Sequence, residues 1–159
     1  MSQTDAKPVR VVFVCLGNIC RSPMAERVAR GLAPAAGLGR VEFTSAALSD
    51  EEEGNPIDPP ARRVLERAGY EAGGHRAHRI RPAELRAADL VVGMEPYHVE
   101  RLRRLAPAAA HIVLLSDYDP DHLGQAIADP WGGPPAVFQA TLARVEAAMP
   151  GLLAAVAEL

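Results

Sequence analysis

Apolar positions along the chain follow two alternating rhythms, short near-continuous runs and longer stretches with helical spacing. The run 9–14 (VRVVFV) is short, β-branched and apolar apart from Arg10. Such a run predicts a strand buried on both faces of a parallel sheet. Further strands are predicted over 41–44, 89–94 and 111–115. Between them lie helical stretches. The first runs to about Ala33, with Ser22 as its cap and Pro23 in its first turn, and is broken by Pro34 and Gly37. The second covers 59–68 and is closed by Gly69, the third covers 96–105, and the last covers 135–159. Pro150 and Gly151 predict a kink or break in that last helix. Four buried strands alternating with helices define a single α/β domain: a four-stranded parallel sheet, doubly wound, with helices on both faces and right-handed crossovers. The irregular stretches 49–58 and 117–135 can both reach the carboxyl ends of the strands, where such sheets bind ligands.

Length and composition narrow the possibilities. A chain of 159 residues suits one domain, here 9–159, that buries about two thirds of its unfolded surface without disulfides. Hydrophobic residues at 48% and charged residues at 23% are ordinary globular proportions. The formal charge of −3 and the scattered arginines supply no basic surface, so no nucleic-acid partner is expected. Lys7 is the sole lysine, which excludes a Walker phosphate loop and leaves no Schiff-base residue in the body of the chain. Residues 1–8 read as a flexible, polar N-terminal tail without a signal peptide's apolar core. No run of about eighteen apolar residues predicts a membrane span. Both cysteines, Cys15 and Cys20, lie in one short loop, which favours a reducing compartment over a disulfide framework. A cytoplasmic location is expected, with export independent of a signal peptide left open.

That loop, CLGNICRS at 15–22, carries the chemistry. A phosphoryl group needs several donors converging on three oxygens, and a tight loop entering a helix supplies backbone amides and the helix dipole. Leu16, Gly17, Asn18, Ile19 and Cys20 separate Cys15 from Arg21, enough chain to curl round one phosphate. Gly17 and Asn18 tolerate backbone conformations that most residues avoid. Arg21 adds a planar fork for two phosphate oxygens. Amides, the arginine and a helix N-terminus around Cys15 favour the nucleophilic thiolate, and Ser22 can donate its hydroxyl to the sulfur. A buried structural thiol at a strand end is the competing reading of Cys15. An acid to protonate a leaving oxygen completes the chemistry. Asp129 is a candidate, although Asp-Pro is equally a turn former.

These residues resemble the low-molecular-weight protein-tyrosine-phosphatase family, whose signature CLGNICRSP matches. The resemblance extends through Ser45-Ala46, GNPIDP from Gly54, His75 with Ala77, DLVVGM, YDP from Tyr118 and DPWG from Asp129. It implies a flavodoxin-like strand order and hydrolysis of phosphotyrosine in proteins through a phosphocysteine, without metal or other cofactor. Cys15 is then the nucleophile, Arg21 the phosphate ligand and Asp129 the acid and base. His75 and Ser45 resemble residues that support the loop asparagine, with surface or capping roles as the alternative. Trp131 resembles one aromatic wall of the substrate cleft.

The opposite wall departs from the family. Glu51 stands where relatives carry an aromatic, within the acidic run 50–53, and these carboxylates are expected to repel acidic phosphopeptides and favour basic ones. Ile19 occupies a position that is small and polar in phosphoarginine-specific members, which favours tyrosine over arginine. Arsenate reduction relays oxidation through further cysteines, and none follows Cys20. A catalytically silent phosphotyrosine-binding module is the alternative from another class. His75, His78, Cys15 and Cys20 have poor spacing for zinc. Cys20 is a candidate partner for a reversible disulfide with Cys15, or a filler beneath the loop.

Overall fold

The computed structural model describes residues 7–108 and 111–159. Residues 1–6 of the predicted tail lie outside the described residues. The elements follow in the order β1 (Val9–Cys15), α1 (Arg21–Leu32), β2 (Val41–Ala47), α2 (Pro59–Arg67), α3 (Pro82–Ala87), β3 (Leu90–Gly93), α4 (Pro96–Leu105), β4 (Ile112–Leu114) and α5 (Pro135–Ala157), with a 3-10 turn at Leu115–Tyr118. All strand pairs are parallel, in the order β2-β1-β3-β4. The order reverses between β1 and β3, so the carboxyl end of β1 opens onto the switch point where such sheets bind ligands.

The two-residue period of β1 divides the core. Val11, Phe13 and Cys15 face a cluster with Met24, Val28, Leu65, Phe138, Val145 and Met149 from α1, α2 and α5. Val12 and Val14 face the other side, with Leu85 of α3 and Val99 and Leu102 of α4. Burial on both faces is why β1 reads as nearly unbroken apolar sequence.

Several elements differ from the sequence reading. Ser22 is not a helix cap: α1 begins at Arg21, its N-cap position is Cys20 without a side-chain cap, and the Ser22 hydroxyl turns toward the loop. The short helix α3 was not anticipated, because it buries only Leu85 and lacks an apolar period; its N-terminus is marked by Pro82 and by Glu84, which accepts from the Arg81 backbone at 3.1 Å. Strand β2 extends to Ala47 because Ser45, Ala46 and Ala47 are buried beside β1. Gly69 does close α2: at φ 90° it lets Tyr70 N donate to Leu65 O and Gly69 N to Glu66 O, both at 3.0 Å.

Helix α5 runs from Pro135 to Ala157 without the interruption expected at Pro150. Val145, Met149, Leu152 and Val156 are buried on either side of Pro150, and the packing of both halves outweighs one missing backbone donor. Gly151 serves a different purpose. A Cβ there would lie 2.6 Å from the Tyr118 carbonyl oxygen, so glycine permits close approach to the 3-10 turn. Among the described residues α5 is the one helix long and apolar enough to cross a membrane, and here it packs against α1 and α2.

Candidate active site

Cys15 ends β1, and its sulfur is buried under the loop that follows. Three donors converge on Sγ: Asn18 N at 3.3 Å, Ser22 N at 3.4 Å and the Ser22 hydroxyl at 3.0 Å. The Ser22 oxygen itself accepts from Asn18 Nδ2 at 2.8 Å, which leaves its hydrogen free for the sulfur rather than the more distant Ala46 carbonyl at 3.5 Å.

Asn18 holds this arrangement. It is the one described non-glycine residue with positive φ, at 61°, and it is wholly buried. Asparagine tolerates that conformation better than most residues, and here both side-chain ends are used. Oδ1 accepts from His78 N at 3.2 Å, while the backbone oxygen accepts from His75 Nε2 at 2.7 Å. Burial, set against the Asn18 hydrogen bond that favours protonation, lowers the His75 pKa and keeps the ring neutral. Ser45 stands one layer further out: it donates to Glu26 at 3.1 Å rather than to the loop, and Glu26 pairs with Arg27. His78 was not anticipated in this support; its contribution is a backbone amide, which residue type does not reveal.

Arg21 is 2% exposed. Its Nη1 donates to the Ile127 carbonyl at 2.9 Å and to Glu95. Nη2 points to the cleft, 3.8 Å from Asp129 Oδ2. Burial opposes the guanidinium charge, but the Glu95 hydrogen bond and the nearby charges outweigh it and raise the pKa above the ordinary arginine value. Glu95 is a second residue that sequence reasoning passed over. Its position two residues after β3, at the carboxyl end of the sheet, is the signal that could have singled it out.

Behind Glu95, the fully buried His98 accepts at Nδ1 from Glu95 N at 3.0 Å and Met94 N at 3.2 Å. Its proton therefore sits on Nε2, 3.8 Å from the Glu95 carboxylate. Burial, together with the positive charges of Arg21 and Arg101, lowers its pKa to about 3.

Asp129 is half-exposed, and its Oδ1 accepts from Trp131 N at 3.1 Å in the turn that carries both residues. The cleft has a volume of about 210 Å³ and gathers Cys15, Arg21, Asp129, Trp131 and Glu51 around one opening, with Leu16, Gly17, Ile19, Cys20 and Glu52. Cys20 is buried there with its thiol 3.6 Å from Asp58 Oδ2; burial first, then the Asp58 charge, push its pKa up and hold it as the thiol. Among the described residues no group of three or more His, Cys, Asp or Glu side chains converges to hold a metal ion.

A doubly wound α/β fold with a donor-ringed cysteine at its switch point, backed by a buried arginine, is an arrangement suited to binding a phosphoryl group. The family described as low molecular weight phosphotyrosine protein phosphatase matches residues 10–159, and the chain belongs to it. It is 45% identical over 155 residues to a low molecular weight protein-tyrosine-phosphatase of Streptomyces coelicolor, covering 94% of each chain. It is 39% identical over 148 residues to low molecular weight protein-tyrosine phosphatase A of Mycobacterium bovis, covering 91% of this chain and 90% of that one. Its fold matches the crystal structure of YfkJ from Bacillus subtilis with a TM-score of 0.88 at 31% identity, covering 97% and 98% of the two chains.

Proposed function

We propose that the protein hydrolyses phosphotyrosine monoesters in proteins by two successive displacements at phosphorus. The Cys15 thiolate attacks in line, forming an S–P bond as the tyrosyl O–P bond breaks. Arg21 Nη2 is free to bind phosphate oxygens, because Glu95 and Ile127 engage Nη1 and the nearest partner of Nη2 is the Asp129 carboxylate 3.8 Å away. Asp129, in its protonated form, gives its proton to the leaving tyrosyl oxygen. Water then attacks the phosphocysteine, Asp129 takes a proton from it, and inorganic phosphate leaves as the thiolate is restored. The Ser22 hydroxyl stabilises the sulfur when it is the attacking and then the departing group.

The observation that carries this reading is the gathering of Cys15, Arg21 and Asp129 in one cleft, with Arg21 Nη2 3.8 Å from the Asp129 carboxylate. Trp131, 65% exposed and lining the cleft, supplies an aromatic surface for a phosphotyrosyl group. Ile19 lines the same cleft with an apolar side chain, which suits an aryl rather than a guanidino leaving group.

A leaving-group comparison tests the acid assignment. Asp129→Asn is expected to lower turnover of phosphotyrosine by about 10² to 10⁴ and that of an aryl phosphate with a good leaving group by much less. Equal losses on both substrates remove Asp129 from the acid role.

A further inference from the structure

The cleft has an unequal distribution of charge. Glu51, Glu52 and Asp129 contribute carboxylates to its lining, and its cationic lining residue, Arg21, is already engaged by Glu95. The four consecutive acids at 50–53 do not act as one surface, because the turn divides them. Asp50 closes the turn by accepting Glu53 N at its carbonyl at 3.2 Å, and the Glu53 carboxylate faces away to accept Arg79 N at 2.9 Å. Glu52 and Glu51 face the cleft.

Glu52 is fixed there. Its stem lies against the phosphate loop, so that a Cβ on Gly17 would come within 3.3 Å of its Cγ, and its carboxylate accepts from Asn55 Nδ2 at 2.7 Å. A neutral amide leaves the Glu52 charge uncompensated. Glu51 is exposed and, among the described residues, has neither hydrogen bond nor ion pair. Trp131, also exposed, lines the same cleft. The main chain of a phosphopeptide seated on Cys15 must leave the cleft past these groups.

We propose that Glu51 and Glu52 select phosphotyrosine residues flanked by arginine or lysine, with Glu51 as the specificity-determining side chain. The inference rests on the phosphotyrosine reading of the site. A flanking cation pairs with the free Glu51 carboxylate and can lie over the exposed Trp131 ring, whereas a flanking carboxylate meets like charge on the same border. Charge pairs at an exposed rim are worth about a two- to fivefold preference each and weaken with salt.

The test is a matched set of phosphotyrosine peptides with Arg/Lys, neutral or Asp/Glu flanks, alongside a small aryl phosphate without flanking residues. Each is assayed at low and high ionic strength with the wild-type protein, Glu51→Gln and Glu51→Lys. Wild type should prefer basic over acidic peptides by about tenfold in kcat/KM at low salt, chiefly through KM, and the preference should shrink at high salt. Glu51→Gln should reduce it about three- to fivefold and Glu51→Lys should abolish or reverse it. Turnover of the aryl phosphate with equal rates on all peptides, or a preference that Glu51→Lys leaves intact, overturns the selectivity. Failure to turn over either the aryl phosphate or any peptide overturns the phosphatase reading and the selectivity with it.

Discussion

Asn18 donates its side-chain amide to the Ser22 hydroxyl at 2.8 Å, and through this bond the shape of the phosphate loop sets the donor that faces the Cys15 sulfur. Asn18→Ala removes that donor and the partner of His78 N, while Ser22→Ala removes the hydroxyl alone. The loss of one buried hydrogen bond costs about 1–3 kcal/mol. Ser22→Ala should therefore lower kcat by about 5- to 150-fold with a preserved circular dichroism spectrum. Asn18→Ala should lower both kcat and thermal stability.

Glu95 determines which way the Arg21 guanidinium presents itself. Hydrogen bonds to charged groups contribute about 1.5–3 kcal/mol, and Glu95→Gln weakens one at a nearly buried arginine. The expected outcome is a rise in KM and in the inhibition constant of inorganic phosphate, with a lower unfolding midpoint in urea. An unchanged phosphate inhibition constant would show that Glu95 does not orient Arg21.

Neutral His98 links stability to pH. Its folded pKa of about 3 lies below the ordinary value of 6.5, so between these values the unfolded chain binds the extra proton. Stability from this residue is complete above about pH 6.5 and is lost as pH falls toward 3, with a slope of up to about 1.4 kcal/mol per pH unit. His75, whose pKa is also lowered, adds to the same trend. Urea titrations from pH 7.5 to 5 should show falling stability, and His98→Asn should show a shallower dependence. Parallel pH profiles for the two proteins would contradict the assignment.

Gly151→Ala probes the contact that joins α5 to the 3-10 turn. The new Cβ would meet the Tyr118 carbonyl at 2.6 Å, and backbone on both sides leaves little room to yield. A loss of about 1–3 kcal/mol on chemical denaturation is expected. Ala at the exposed, unobstructed Gly39 is the control and should have little effect.

These contacts show what was legible beforehand. The four strands, the doubly wound order and the gathering of Cys15, Arg21 and Asp129 follow from apolar runs, loop chemistry and family resemblance, because each leaves a local mark in residue type. Glu95, His98 and the Glu52–Gly17 contact leave no such mark. Their roles arise where β3, α4 and the 50–54 turn meet the loop, and depend on which atoms remain unpartnered after folding. Helix α5 shows the opposite failure, since the break signalled by Pro150 is overridden by the burial of Met149 and Leu152 beside it.

The central claim is that phosphorus passes through the sulfur of Cys15. Rapid quench of the protein mixed with an aryl phosphate bearing a good leaving group, which needs no acid to depart, followed by proteolysis and mass spectrometry, measures this directly. Asp129→Asn should accumulate a single phosphoryl group on Cys15, and Cys15→Ser should show neither adduct nor turnover. A phosphoryl group on another residue, or sustained turnover by Cys15→Ser, would contradict the account.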